Sequence, residues 1–318
     1  MKRLSACTLA LCAALSHQLQ AQRSELRLEK GWRFTRQDQA SFSTPDYNDS
    51  KWSRVTVPHD WAIYGPFSFE NDKQHLAIAQ DGQKEAMEHA GRTGGLPFVV
   101  VGWYRRSLDI PQDLGDRRVF LRFDGAMSHA RVYVNGKEVG YWPYGYNTFA
   151  FDVTPYVRPG ASNTLAIRLE NKHESSRWYP GAGLYRNVHL TITSPTYIPL
   201  WGTRIQTPSV SADQAYVSIE TKVAGISHLA GRPLRIETKI LSPEGKVVAE
   251  RSESFSSKGA DSIYRTGFDI SAPKLWDINQ PNLYKYAVTL SDGSRVIDCD
   301  TTTFGIRSIE LKAGEGFF

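Results

Sequence analysis

Cysteine is scarce in this 318-residue chain, and two of its three, Cys7 and Cys12, fall within the first 21 residues. If that leader is removed, Cys299 alone remains and no internal disulfide can form, even in an oxidising compartment. Cys299 lies in the alternating run Val296-Ile297-Asp298-Cys299-Asp300 with no histidine within sequence reach, so it is expected to be a small buried apolar residue rather than a nucleophile. Long apolar runs are missing as well. The longest candidate, Leu4 to Leu15, falls short of the roughly 20 residues a membrane helix needs, and no membrane span is expected. There is no run of Lys and Arg interleaved with aromatics. The formal charge of +5 is scattered and falls to +3 without Lys2 and Arg3, which argues against a nucleic-acid partner. No repeat of fixed period is visible.

Met1-Lys2-Arg3, the apolar stretch after it and the small residue Ala21 have the order of a signal peptide over residues 1–21, predicting export to the periplasm or beyond. Lipidation at Cys7 or Cys12 is the weaker alternative, because no apolar stretch precedes the first and a bulky Leu11 precedes the second. Aromatic residues make up 12% and charged residues 22%, which suits a folded globular chain rather than a disordered one. The length accommodates two domains of ordinary size.

The apolar segments are short, β-branched or aromatic, and closed by Gly, Pro, Asn or Asp. That pattern predicts strands at sandwich spacing and little helix. Arg131 to Tyr141 alternates on both sides of Asn135-Gly136, the pair that supplies the positive φ angles of a type I′ hairpin turn. Further strands are expected over Gly102–Leu108, Arg118–Phe123, Thr148–Val153, Thr164–Glu170 and Asn187–Thr193. The stretch from Glu70 to Thr93 is long, polar and unpatterned, as in functional lids or insertions, with a short helix considered over residues 83–90. Near Ser194-Pro195 to Pro199 a proline-fixed linker leads into a second strand series, Ala215–Val223, Leu234–Leu241, Lys246–Phe255, Ser262–Ile270, Tyr284–Ser291 and Val296–Phe304. Its strand count and length of roughly 100 residues suit an immunoglobulin-like sandwich.

Five motifs then occur in order: Val57-Pro58-His59-Asp60-Trp61 with Gly65-Pro66-Phe67; Gly102-Trp103-Tyr104-Arg105-Arg106; Val132-Tyr133-Val134-Asn135-Gly136; Phe149 to Thr154; and Ser176-Arg177-Trp178-Tyr179-Pro180-Gly181-Ala182-Gly183-Leu184-Tyr185-Arg186-Asn187-Val188. Over the whole mature chain this set resembles glycoside hydrolase family 2. The resemblance implies an all-β chain: a jelly-roll sugar-binding sandwich over 22–194, an immunoglobulin-like sandwich over 196–304, and a lead-in over 305–318 to a (β/α)₈ catalytic barrel. Fourteen residues cannot hold a barrel of about 250. Retaining glycosidases work with two carboxyl groups about 5–5.5 Å apart. The resemblance places both on barrel strands, the acid/base after an asparagine, and no Asn-Glu pair occurs here. No catalytic residue is therefore assigned.

Most motif residues read as holding the fold. His59-Asp60-Trp61 fits a buried hydrogen-bond network under a sandwich edge, and Asp152 with Thr154 fits a turn cap. Arg177, Trp178 and Tyr179 are the candidates for sugar contact: a guanidinium beside two aromatics offers hydrogen-bond donors and a ring platform. Bracing of a barrel domain is the alternative role for the same loop. Arg92 to Pro97 approaches the same site by resemblance. Tyr141 to Tyr146 reads as core or interface before sugar surface. Where some members carry an acid that helps bind sodium, Arg177 and its neighbours stand, so neither metal nor cofactor is expected. Three functions stay open: the non-catalytic front part of an exported exo-β-glycosidase acting on a β-linked glycan, such as a β-galactoside; a free-standing carbohydrate-binding or docking module; and a part that assembles with a separately encoded barrel. Oligomerisation is left open.

Overall fold

The computed structural model describes residues 23–68, 70–71, 74–76, 87–89, 97–98, 100–172, 178–229, 232–256 and 262–317. The leader expected over residues 1–21 lies outside them. The regular structure of the described chain is strand apart from a few short 3-10 turns, and the chain divides into two compact units, one formed by Glu25–Ile192 and the other by Thr193–Phe318 with the N-terminal residues up to Ser24.

In the first unit the strands are β1 (Ser24–Arg27), β2 (Trp32–Thr35), β3 (Ser53–Val55), β4 (Gln74–Leu76), β5 (Met87–His89) and β6 (Val101–Asp109). They are followed by β7 (Arg118–Phe123), β8 (Ala130–Val134), β9 (Lys137–Trp142), β10 (Phe149–Asp152), β11 (Ser162–Glu170) and β12 (Val188–Thr193). A four-stranded sheet, β1-β12-β7-β10, and a six-stranded sheet, β3-β2-β6-β11-β8-β9, supply the walls. Burial alternates along β7 and β8, so each presents one face inward, where Val119, Leu121, Phe123, Val132 and Val134 share a core with Leu165 and Ile167. The turn at Asn135-Gly136 has φ of 51° and 82°, the type I′ geometry expected from its residues. The Asn135 side chain also donates to Tyr156 O and Asn163 Oδ1 and accepts from the Thr164 amide, tying the hairpin tip to its neighbours. Asp152 accepts from the amide and the hydroxyl of Thr154, the expected turn cap.

One expectation needs correcting. The described part of the stretch considered for a helix, Met87–His89, is a strand paired antiparallel with Gln74–Leu76; residues 83–86 and 90 lie outside the described ones.

The second unit holds β13 (Thr203–Val210), β14 (Gln214–Val223), β15 (Pro233–Leu241), β16 (Val247–Ser256), β17 (Ser262–Ser271), β18 (Tyr284–Asp292) and β19 (Arg295–Phe304). A three-stranded sheet, β13-β14-β17, and a four-stranded sheet, β16-β15-β18-β19, bury Val217, Ile219, Ile236, Ile240, Phe268, Tyr286, Val288 and Leu290 in a common core. A short hairpin follows, β20 (Leu311–Lys312) with β21 (Gly316–Phe317). Cys299 is not the buried residue of its strand. It is half-buried, which pushes its thiol pKa up, while its neighbour Asp298 is only 1% exposed. The pairing shifts between Leu290, opposite Asp298, and Ser291, opposite Val296, so an extra residue at Ile297 moves the following side chains by one face.

Candidate functional site

The loop carrying the longest motif is fixed on two sides. Trp61 and His59 donate their backbone N–H groups to Ala182 O and Leu184 O, at 3.0 and 2.8 Å. On the other side Gly183 exchanges both backbone hydrogen bonds with Met127, and Tyr185 Oη donates to Gly145 O. Gly181 and Gly183 have φ of 89° and 122°, where a side chain is strained, and at Gly183 the loop also passes too close to Tyr104 and His59 O for a Cβ to fit.

Under this loop His59 and Asp60 form a half-buried hydrogen-bond network beside the buried Trp61, whose indole N–H takes no part in it. His59 Nδ1 lies 2.7 Å from Tyr104 Oη, and burial keeps its pKa below the usual histidine value against the pull of Asp60. Asp60 Oδ1 accepts from the Ala62 amide and from the Tyr179 hydroxyl. Burial and then that hydrogen bond raise the Tyr179 pKa far above an ordinary phenol, so Tyr179 stays a donor at any physiological pH. Trp61 is 3% exposed and stacks on Phe34 at 5.5 Å.

The three sugar-contact candidates thus separate. Arg177 lies outside the described residues. Tyr179 turns inward to Asp60 and packs on the core. Trp178 turns outward, 61% exposed, and donates its indole N–H to Tyr146 Oη at 3.0 Å. Tyr146 in turn meets exposed Tyr144 edge-on at 5.6 Å. The aromatic run 141–146 therefore divides: Trp142 stacks on Phe149 against the core, and Tyr144 faces solvent. Arg186 anchors the shelf by donating to Tyr146 O and Asp124 O. Tyr144 and Tyr146, which sequence reasoning assigned to core or interface, are the residues the structure adds to Trp178.

Beside the network runs an open cleft of about 490 Å³, lined by Arg54, Thr56, His59, Asp60, Ile63, Tyr64 and Tyr185 among others. Asp60 is the one carboxylate among the described residues of its wall. Among the described residues no group of three or more His, Cys, Asp or Glu is placed to hold a metal ion.

Other motif residues brace strands. Arg105 is buried and spends its guanidinium on Asp49 Oδ2 and on the carbonyls of Phe42 and Thr44, while Trp103 donates to Asp38.

Comparison with known proteins agrees with this division. Residues 26–195 match the family model for the sugar binding domain of glycosyl hydrolases family 2, and residues 199–307 match a second model of glycosyl hydrolases family 2. The chain belongs to glycosyl hydrolases family 2. A putative beta-glucuronidase of Formosa agariphila is 33% identical over 314 residues, covering 98% of this chain and 28% of that protein. Beta-galactosidase BoGH2A of Bacteroides ovatus is 33% identical over 97% of this chain and 34% of its own length. A solved family 2 member from Bacteroides cellulosilyticus superposes with a TM-score of 0.82 at 30% identity, covering 92% of this chain and 36% of that one. The family 2 chain described here thus spans about a third of the length of the curated relatives it matches. It corresponds to their sugar-binding and second sandwich domains, a non-catalytic portion of such a glycosidase. Among the described residues no helix is long and apolar enough to cross a membrane.

Proposed function

We propose that this chain is the jelly-roll and immunoglobulin-like part of an exported retaining exo-β-glycosidase acting on terminal β-galactosides, and that it cleaves no glycoside alone. The carrying observation is the cleft at His59. A retaining mechanism needs two carboxyl groups about 5–5.5 Å apart, whereas among the described residues this cleft offers Asp60 alone, already accepting from Tyr179 and Ala62. β-Glucuronides are the second substrate class, since beta-glucuronidases and beta-galactosidases both stand among the relatives.

The chain's own contribution is contact with the glycan. Trp178, with Tyr144 and Tyr146, forms an outward aromatic shelf held from behind by Arg186. A pyranose ring lays its C–H face on such a surface while neighbouring donors take its hydroxyls. Calorimetry with methyl β-galactoside and methyl β-glucuronide tests this. Millimolar or tighter binding is expected, weakened about tenfold or more in Trp178→Ala; no heat with either sugar removes the shelf from the account.

The second unit supplies a seat for a catalytic barrel, in cis or on a separate chain. Its groove of about 690 Å³ is lined by Ile205, Trp276, Leu283, Arg307 and Ile309 among others, and the hairpin after it exposes Leu311 and Phe317. Exposed apolar surface of this kind marks an interface.

A further inference from the structure

A second, smaller cleft of about 320 Å³ opens on the first unit, on the other side of Tyr64 and His59 from the one that holds Asp60. Its volume is at the lower end of the roughly 300–1,000 Å³ of small-molecule sites. Phe34, Thr35, Arg36, Lys51, Trp52, Ser53, Val55, His59, Trp61, Tyr64 and Gly65 line it, and among the described residues no carboxylate does.

Its electrostatics are one-sided. Lys51 makes no hydrogen bond or ion pair among the described residues, while Arg36 donates one N–H to Gly65 O at 2.9 Å and sets its guanidinium 5.7 Å from the centroid of the Phe98 ring. An arginine has five such donors, so the rest of the Arg36 fork is left for a ligand. Behind the cleft wall one more N–H is unsatisfied, but it is closed off from the cleft itself. Trp61 Nε1 carries an N–H with no acceptor, an arrangement that costs about 1–3 kcal/mol when nothing satisfies it. The benzo edge of that indole lies against Gly102 and Gly183, where no Cβ could fit beside it, which directs the pyrrole N–H the opposite way. His59 adds a ring that burial keeps neutral, and Tyr64, 79% exposed, offers an aromatic face at the rim.

Two exposed cations with donors to spare, and no acid among the described lining residues, make a site short of acceptors and negative charge. We propose that this cleft binds a monosaccharide carrying an anionic group, its carboxylate or sulfate taken by Arg36 and Lys51 and its ring resting on Tyr64. The two anionic groups share one chemistry, acceptor oxygens with a full negative charge, and a guanidinium receives either in bidentate fashion. The site is distinct from the Trp178 shelf and does not depend on it.

Titration of the full chain with methyl β-glucuronide, galactose 6-sulfate, methyl β-galactoside and sodium sulfate, read by tryptophan fluorescence, tests the proposal. One or both charged sugars are expected to bind in the millimolar range or tighter, and which of them does identifies the source of the charge. Binding should weaken about tenfold or more in Lys51→Glu, a change at a solvent-exposed side chain with no partner to lose, and likewise in Arg36→Gln. The same binding should survive in Trp178→Ala, so loss of the shelf and loss of this cleft are read separately. Charged-sugar affinity unchanged in both Lys51→Glu and Arg36→Gln overturns the proposal, as does free sulfate binding as well as the sugars, or no response to any charged sugar.

Discussion

Replacing Arg23 by alanine is expected to destabilise the second unit by about 3–5 kcal/mol, the cost of leaving a buried charge without its partner. Asp298 is almost fully buried, and its two carboxylate oxygens accept from Arg23 Nε at 2.8 Å and Nη2 at 2.7 Å. The same carboxylate accepts from the Ile198 amide, and Arg23 also donates to Ile198 O, so the pair fastens the first described residue to the start of the second unit. Removing Arg23 leaves the buried acid without its two guanidinium donors, with the Ile198 amide still in place. Amide exchange followed by mass spectrometry should show lost protection in Tyr284–Asp292 and Arg295–Phe304, while the first unit's strands keep theirs. Unchanged protection would mean that the ion pair contributes nothing to the fold.

Gly183→Ala is expected to cost the first unit about 3 kcal/mol or more, from overpacking and from a backbone angle that disfavours a side chain. A methyl at Gly183 would stand 2.6 Å from His59 O, collide with Tyr104 Oη and press on Trp61, at a φ of 122°. All three neighbours belong to the network that seats the 178–186 loop, so relief of the clash displaces the aromatic shelf as well. A fall in the thermal midpoint of about 6–12 °C follows for a unit of this size. An unaltered midpoint would show that the loop has room and that the close packing at Gly183 is not what holds it.

Where the local signal was clean, the fold was legible in the sequence. Arg118–Phe123, short and rich in aromatic and branched apolar residues, forms a strand with those limits, and Asn135-Gly136 specifies its turn through the φ angles that only such residues adopt readily. Thr203–Val210 escaped notice for a physical reason: it is an edge strand with no buried residue, it contains Pro208, and its pairing with β14 breaks between Gln206 and Ser209. Asp298 and Cys299 exchanged their expected places because one bulged residue reverses every side chain beyond it, and no local pattern announces a bulge.

The candidate site was legible only as a loop. Trp178 and Tyr179 are adjacent, yet one faces solvent and the other Asp60, a choice made by distant backbone bonds from His59, Trp61 and Met127. The cleft of Arg36, Lys51 and Trp61 draws its lining from three separated segments. Its chemistry rests on what is missing there, an acid, and sequence spacing does not record that.

The central claim is that these two sandwiches bind but do not cut. Purified chain incubated with nitrophenyl β-galactoside and nitrophenyl β-glucuronide tests it most directly. The account predicts no nitrophenol above the buffer blank with either substrate. Sustained release that travels with the protein through successive purification steps, and disappears in Asp60→Asn, would contradict it.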